Sequence, residues 1–161
     1  MILSFDVGIK NLAYCLIDND KTILDWNILN CDSNNTVLLM LEHLDSIPYL
    51  LEADTILIEK QPSFNPKMRI IGTSLYVYFT LRIQHEMNRR VKILFYSAKH
   101  KLKNCTITGI TGGTKYLRNK KLAIEYTKQL LVDTPWLTFF MSNKKKDDFA
   151  DSYLQALSYI N

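Results

Sequence analysis

Cysteine, histidine and long apolar runs are scarce in this chain, and each scarcity removes a class of protein. The three cysteines, Cys15, Cys31 and Cys105, are odd in number, widely separated and without C-x-x-C or Cys/His spacing. Neither a disulfide framework nor a zinc site is supported, and a reducing intracellular setting fits. His43, His85 and His100 share no ligand spacing. No apolar run approaches a membrane span, and Met1 leads directly into a strand pattern, which predicts a soluble chain with no signal or transit segment. Internal repeats, low-complexity tracts and linker-like stretches are also absent, so residues 1–161 are expected to form one domain.

The chain has ample material for a core, with 47% hydrophobic residues among 161. Its formal charge is +4, from 20 Lys+Arg against 16 Asp+Glu, which by itself is too mild to indicate a polyanion partner. The distribution is more telling. From Lys92 to Lys146 there are eleven lysines and one arginine against two acids, Glu125 and Asp133. That field favours a phosphate backbone as partner.

Three strands are expected first, Ile2–Asp6, Leu12–Ile17 and Thr22–Leu29, joined by short polar turns as in an antiparallel meander. Asp32-Ser-Asn-Asn35 then starts a helix whose apolar positions Val37, Leu38, Leu41 and Leu44 recur at helical spacing up to Pro48. A fourth strand covers Thr55–Glu59. After Pro62 and Pro66 a long amphipathic helix runs to about Arg90, and Val91–Phe95 forms a fifth strand. Residues 97–114 show no periodicity and carry Gly109, Gly112 and Gly113, the mark of a flexible connection. Helices over Tyr116–Val132 and Asp147–Ile160 close the chain. The order predicts an α/β fold: a mixed five-stranded sheet, three strands antiparallel and two added by helical crossovers, flanked by helices.

Two strands end in an acid, Asp6 and Glu59, each followed by loop residues at the carboxyl edge where open α/β sheets build their sites. The last helix opens on Asp147-Asp148-Phe-Ala-Asp151, and Asp148 and Asp151 share a face three residues apart. Asp147 is either a ligand or the residue capping free backbone N–H groups at the helix start. Neighbouring strands lie about 4.8 Å apart, so Asp6 and Glu59 can share an ion cluster. Four gathered carboxylates repel unless a cation neutralises them. Oxygen-only ligands select Mg²⁺ or Mn²⁺ over zinc. Two such ions about 3.5–4 Å apart can activate a water and stabilise a leaving 3′ oxygen in phosphodiester hydrolysis.

Phe5-Asp6-x-Gly8-x-x-Asn11, Ile58-Glu59-x-Gln61 and Lys146-Asp-Asp148-x-x-Asp151-Ser resemble, in motif order and element order across the whole chain, the RuvC-type Holliday junction resolvases of the RNase H-like superfamily, nearest to the poxvirus branch and related to the mitochondrial resolvases. The resemblance implies a metal-dependent endonuclease that cuts four-way DNA junctions symmetrically as a homodimer, with no small-molecule cofactor. Asp6, Glu59, Asp148 and Asp151 become the metal ligands, holding two Mg²⁺ ions that Mn²⁺ can replace. A catalytic lysine follows the fifth strand; Lys101 matches best, and strand alternation does not separate it from Lys99 and Lys103. A viral origin implies work on replicating genomes in the host cytoplasm.

Lys115, Arg118, Lys120 and Lys121, near the start of the third helix, resemble a second basic site for DNA, Lys120 being the strongest single candidate. Lys67 and Arg69 join them from the Gln61–Arg69 segment, where Phe64 offers a stacking face. Apolar residues on more than one side of the long helix, Leu75, Tyr76, Phe79 and Ile83, suit a dimer contact. Two other readings of the same fold stay open: a nuclease for RNA or RNA–DNA hybrids, and a nucleic-acid-binding module without chemistry. An actin-like nucleotide binder, which shares Asp6-Val-Gly8, is excluded because it needs two such domains and a second glycine-rich loop.

Overall fold

The computed structural model describes residues 1–161. Strands β1 (Ile2–Asp6), β2 (Asn11–Ile17) and β3 (Ile23–Asn30) form an antiparallel meander; β4 (Thr55–Glu59) and β5 (Lys92–Tyr96) join in parallel, giving the order β3-β2-β1-β4-β5. The expected mixed sheet is therefore present in strand number and direction. No helix is long and apolar enough to cross a membrane.

Helices cover both faces. On one side lie α1 (Thr36–Asp45) and α2 (Pro66–Phe79), the latter continuing through π-helical turns to Glu86. They pack over Leu3, Phe5, Tyr14, Ile56 and Ile58. On the other side α3 (Lys115–Leu130), α4 (Pro135–Ser142) and α5 (Lys146–Ile160) pack over Ile2, Cys15, Ile17 and Leu57. Alternation along a strand assigns residues to these two faces. Leu3, Phe5 and Val7 take the α1/α2 face, so Ile2, Ser4 and Asp6 take the α5 face. By the same rule Leu57 and Glu59 point toward α5. Asp6 and Glu59 thus emerge side by side, because Phe5 pairs with Ile58 one residue earlier.

Trp26 on β3 anchors the α4/α5 side. Its ring stacks on Phe140 at 5.4 Å and meets Phe149 edge-on at 5.3 Å, and its Nε1 donates to the Phe149 carbonyl and Ser152 Oγ, both at 3.1 Å. Burying such rings contributes roughly 1.5–3 kcal/mol each, with more from favourable ring geometry.

Three sequence expectations change. The long helix is not uniform to Arg90: α-helical bonding ends at Phe79. α4 was not expected, although Thr134-Pro135 carries a helix-start signal, since proline at the first helical position loses no intrahelical bond. Residues 99–103 are not extended. Ala98–His100 forms a short 3₁₀ turn, and this changes which lysines share a direction.

Candidate active site

The β1 to β2 turn sets the first acid. A Cβ at Gly8 would collide with the Asn11 carbonyl oxygen, so only glycine lets the chain fold back this tightly after Asp6. Beyond β4, Gln61 Nε2 donates to Glu59 Oε2 at 2.7 Å, which fixes one carboxylate oxygen and leaves Oε1 to accept from Lys101 Nζ at 2.9 Å. The first turns of α5 bring Asp148 and Asp151 to the same edge.

Into this mouth reaches Lys101, at the end of the 3₁₀ turn after β5. Its Nζ lies 3.0 Å from Asp6 Oδ1, 2.9 Å from Glu59 Oε1 and 3.3 Å from Asp151 Oδ2. The Lys101 side chain is only 5% exposed. Burial alone would lower its affinity for a proton, but Asp6, Asp151 and Glu59 together outweigh burial and hold the ammonium above its ordinary range. Burial also pushes the Asp6 and Asp151 carboxyls up, with Lys101 opposing and the neighbouring acids adding. Three carboxylates against one ammonium leave a negative excess, and such a cluster attracts protons and cations alike.

Asp148 lines the same cavity without being a partner of Lys101. Partial burial and then the charge of Asp147 raise its carboxyl. Asp147 has a different occupation. It is not the helix cap, a position held by Lys145; it pairs with Lys120 Nζ at 2.6 Å. Burial opposes ionisation of Asp147, but the Lys120 hydrogen bond and charge hold it below the usual carboxylate range. Lys120 is raised in turn, chiefly by that bond, and its Nζ lies 5.0 Å over the Tyr116 ring.

The acids surround a cavity of about 800 Å³ whose rim carries Lys10, Lys99, Lys115, Lys120 and Lys145. Of the three lysines left equivalent by alternation, only Lys101 turns inward; Lys99 is exposed on the rim, and Lys103 is exposed and outside the cavity. Arg118 and Lys121 also lie outside it, Arg118 donating to the Gly113 carbonyl at 2.6 Å. Lys67 is exposed at the start of α2, and Arg69 lines a separate groove with Lys60, Gln61 and Phe95. Phe64 stands 85% exposed on the loop between β4 and α2. Gln61 of the Ile58-Glu59-x-Gln61 motif turns its amide to Glu59.

No three His, Cys, Asp or Glu side chains are spaced in this geometry as ligands of one metal ion. The Lys101 ammonium instead takes the point on which Asp6, Glu59 and Asp151 converge. The donor set itself is carboxylate oxygen throughout, with a negative excess in a partly desolvated mouth. That chemistry fits a hard divalent ion such as Mg²⁺ or Mn²⁺.

The fold has parallels among known proteins. The fowlpox virus resolvase, solved with its substrate Holliday junction DNA, superimposes with a TM-score of 0.62 at 23% identity, covering 99% of this chain and 95% of that one. RuvC of Thermus thermophilus gives a TM-score of 0.61 at 11% identity, covering 98% and 93%. These likenesses establish the RuvC-type, RNase H-like fold. An uncharacterized protein of Acanthamoeba polyphaga mimivirus, L451, is 36% identical over 123 residues, which are 69% of this chain and 30% of that longer protein. The family model described as Poxvirus A22 protein matches from residue 1 to residue 161, and the chain belongs to that family.

Proposed function

We propose that residues 1–161 act as one nuclease domain, a metal-dependent endonuclease that resolves four-way DNA junctions by paired symmetric cuts. The observation that carries this reading is the convergence of Asp6, Glu59 and Asp151, from three separate elements, on Lys101 within 3.3 Å. Membership of a poxvirus family and a fold shared with proteins named as Holliday junction resolvases support the choice of substrate.

Asp6, Glu59, Asp148 and Asp151 would hold divalent metal, two Mg²⁺ ions with Mn²⁺ able to substitute. When bound, these ions supply Lewis acidity to the scissile phosphate and to the attacking water. The reaction is hydrolysis: a water oxygen bonds to phosphorus, the bond from phosphorus to the 3′ oxygen breaks, and that oxygen leaves as a hydroxyl. Lys101 sets a positive charge beside the phosphoryl oxygens as negative charge builds on them. Gln61 orients Glu59 through its 2.7 Å hydrogen bond.

Lys99, Lys115 and Lys120 on the cavity rim track the DNA backbone, and such contacts position the strand without reading its sequence. Lys67, Arg69 and Phe64 serve a neighbouring arm, with Phe64 free to stack on an unpaired base. Paired cuts need two sites. Of the residues expected at a dimer contact, Leu75, Phe79 and Ile83 are fully buried in the core and only Tyr76 is exposed; the outer side of α2 instead presents Ile70, Tyr76 and Val77, continued by Leu81, with Tyr76 stacked on Phe95 at 5.7 Å. A second copy of the chain would cover that surface. Processing of branched replicating genomes in the host cytoplasm follows for a virus of this kind. Cleavage of a labelled four-way junction beside linear duplex and RNA–DNA hybrid tests the reading.

A further inference from the structure

We infer that Gln155 is a positioning residue, whose amide locks α5 to β1 directly beneath the acids and so sets the separation of Asp151 from Asp6. The inference rests on the nuclease reading and assigns a role to a residue that touches neither metal nor DNA in it.

Gln155 is completely buried, at 0% exposure. Its Nε2 donates to Ser4 Oγ and to the Phe5 carbonyl, both at 3.0 Å, which uses both amide hydrogens. Its Oε1 has no hydrogen-bond partner. The unpartnered Oε1 is costly, and an apolar side chain of similar volume would remove that cost only by taking this donor away from the buried Ser4 Oγ and the Phe5 carbonyl. Packing therefore does not account for a glutamine here. What the amide adds is fixed geometry between two elements that each carry an acid.

The placement makes the geometry relevant. Ser4, also 0% exposed, lies two residues before Asp6 on the same strand face. Gln155 lies four residues after Asp151 on the same helix face. The Ser4–Gln155 pair is thus the layer below Asp6 and Asp151, and the Phe5 carbonyl it holds belongs to the peptide group leading into Asp6. One layer up, Lys101 Nζ spans the same two elements, 3.0 Å from Asp6 and 3.3 Å from Asp151. Outer partners that orient ligating groups typically change metal affinity or turnover by roughly 10- to 100-fold when removed.

The test pairs Mn²⁺ titration by electron paramagnetic resonance with single-turnover junction cutting. Gln155→Met and Ser4→Ala are compared with wild type and with Leu44→Val, a core change on the opposite face. Gln155→Met is expected to raise the Mn²⁺ half-saturation concentration and slow cutting by roughly 10- to 100-fold at unchanged junction affinity. Ser4→Ala should move both readouts the same way by less, and Leu44→Val should lower thermal stability alone. Wild-type Mn²⁺ binding and cutting in folded Gln155→Met and Ser4→Ala would overturn the inference. Should Gln155→Met fail to fold, Ser4→Ala decides, because it keeps the bond to Phe5. A wild type that binds Mn²⁺ but cuts nothing sinks the nuclease reading, while the Mn²⁺ comparison still judges Gln155. A wild type that binds no Mn²⁺ overturns both.

Discussion

Lys101 Nζ lies 3.0 Å from Asp6 Oδ1 although 95 residues of chain separate them. The contact exists because β1 and β4 are adjacent parallel strands and the 3₁₀ turn after β5 folds back over their carboxyl ends. A lysine held by three acids is a counter-charge before it is anything else, and its removal should be felt in stability as well as in turnover.

Lys101→Met is expected to destabilise the metal-free protein by about 3 kcal/mol, the lower end for breaking a buried ion pair, because Asp151 is partly exposed. Metal should restore part of the loss, since a ligand at 100 times its Kd contributes about 2.7 kcal/mol. Denaturant melts in EDTA and in Mg²⁺ check both numbers. Equal melts for variant and wild type in EDTA would show that the ammonium does not hold the acids together.

Asp148→Asn should abolish cutting and leave junction binding largely intact, because losing a ligand disturbs ion placement more than backbone contact. Gel-shift and cleavage assays on one preparation separate the two. Cutting at the wild-type rate would remove Asp148 from the ligand set.

Lys120→Ala should weaken junction binding at low salt and reduce the slope of log affinity against log salt by about 1. Lys120 is already paired with Asp147, so DNA must compete for it, and Asp147→Asn should strengthen binding. A titration across ionic strengths reads both. An unchanged slope in Lys120→Ala would leave its ion pair with Asp147 as its whole role.

Val77→Glu places a charge on the exposed apolar side of α2. A monomer in sedimentation and uncoupled single nicks are expected. A dimer that survives this change would move the contact elsewhere.

Gly8→Ala should cost stability and activity together, since the new methyl group meets the Asn11 carbonyl and displaces the turn that carries Asp6. Thermal melting and cleavage rates check this. Wild-type values for both would show that the turn accommodates a side chain.

Much of the sheet was legible because its strands are short apolar runs punctuated by turn residues, and Asp6 and Glu59 stood out as acids ending such runs. The role of Lys101 was not separable from Lys99 and Lys103, because alternation assumes an extended chain and Ala98–His100 is a tight turn. Asp147 was ambiguous for a similar reason: its partner Lys120 is 27 residues away, and a helix start is the usual place for a capping acid. α4 is hard to read from sequence because Pro135 serves equally as a breaker or as a first helical residue. Gln155 left no local signal at all. It sits among Tyr153, Leu154 and Leu157 on an apolar stripe, and its meaning depends on a backbone carbonyl 150 residues away.

The most direct test is cleavage of an end-labelled four-way DNA junction, beside linear duplex and RNA–DNA hybrid, in Mg²⁺, Mn²⁺ and EDTA. Paired symmetric cuts on the junction, present with either metal and absent in EDTA, are the predicted result. Binding without cutting, or faster cutting of the hybrid than of the junction, would contradict it.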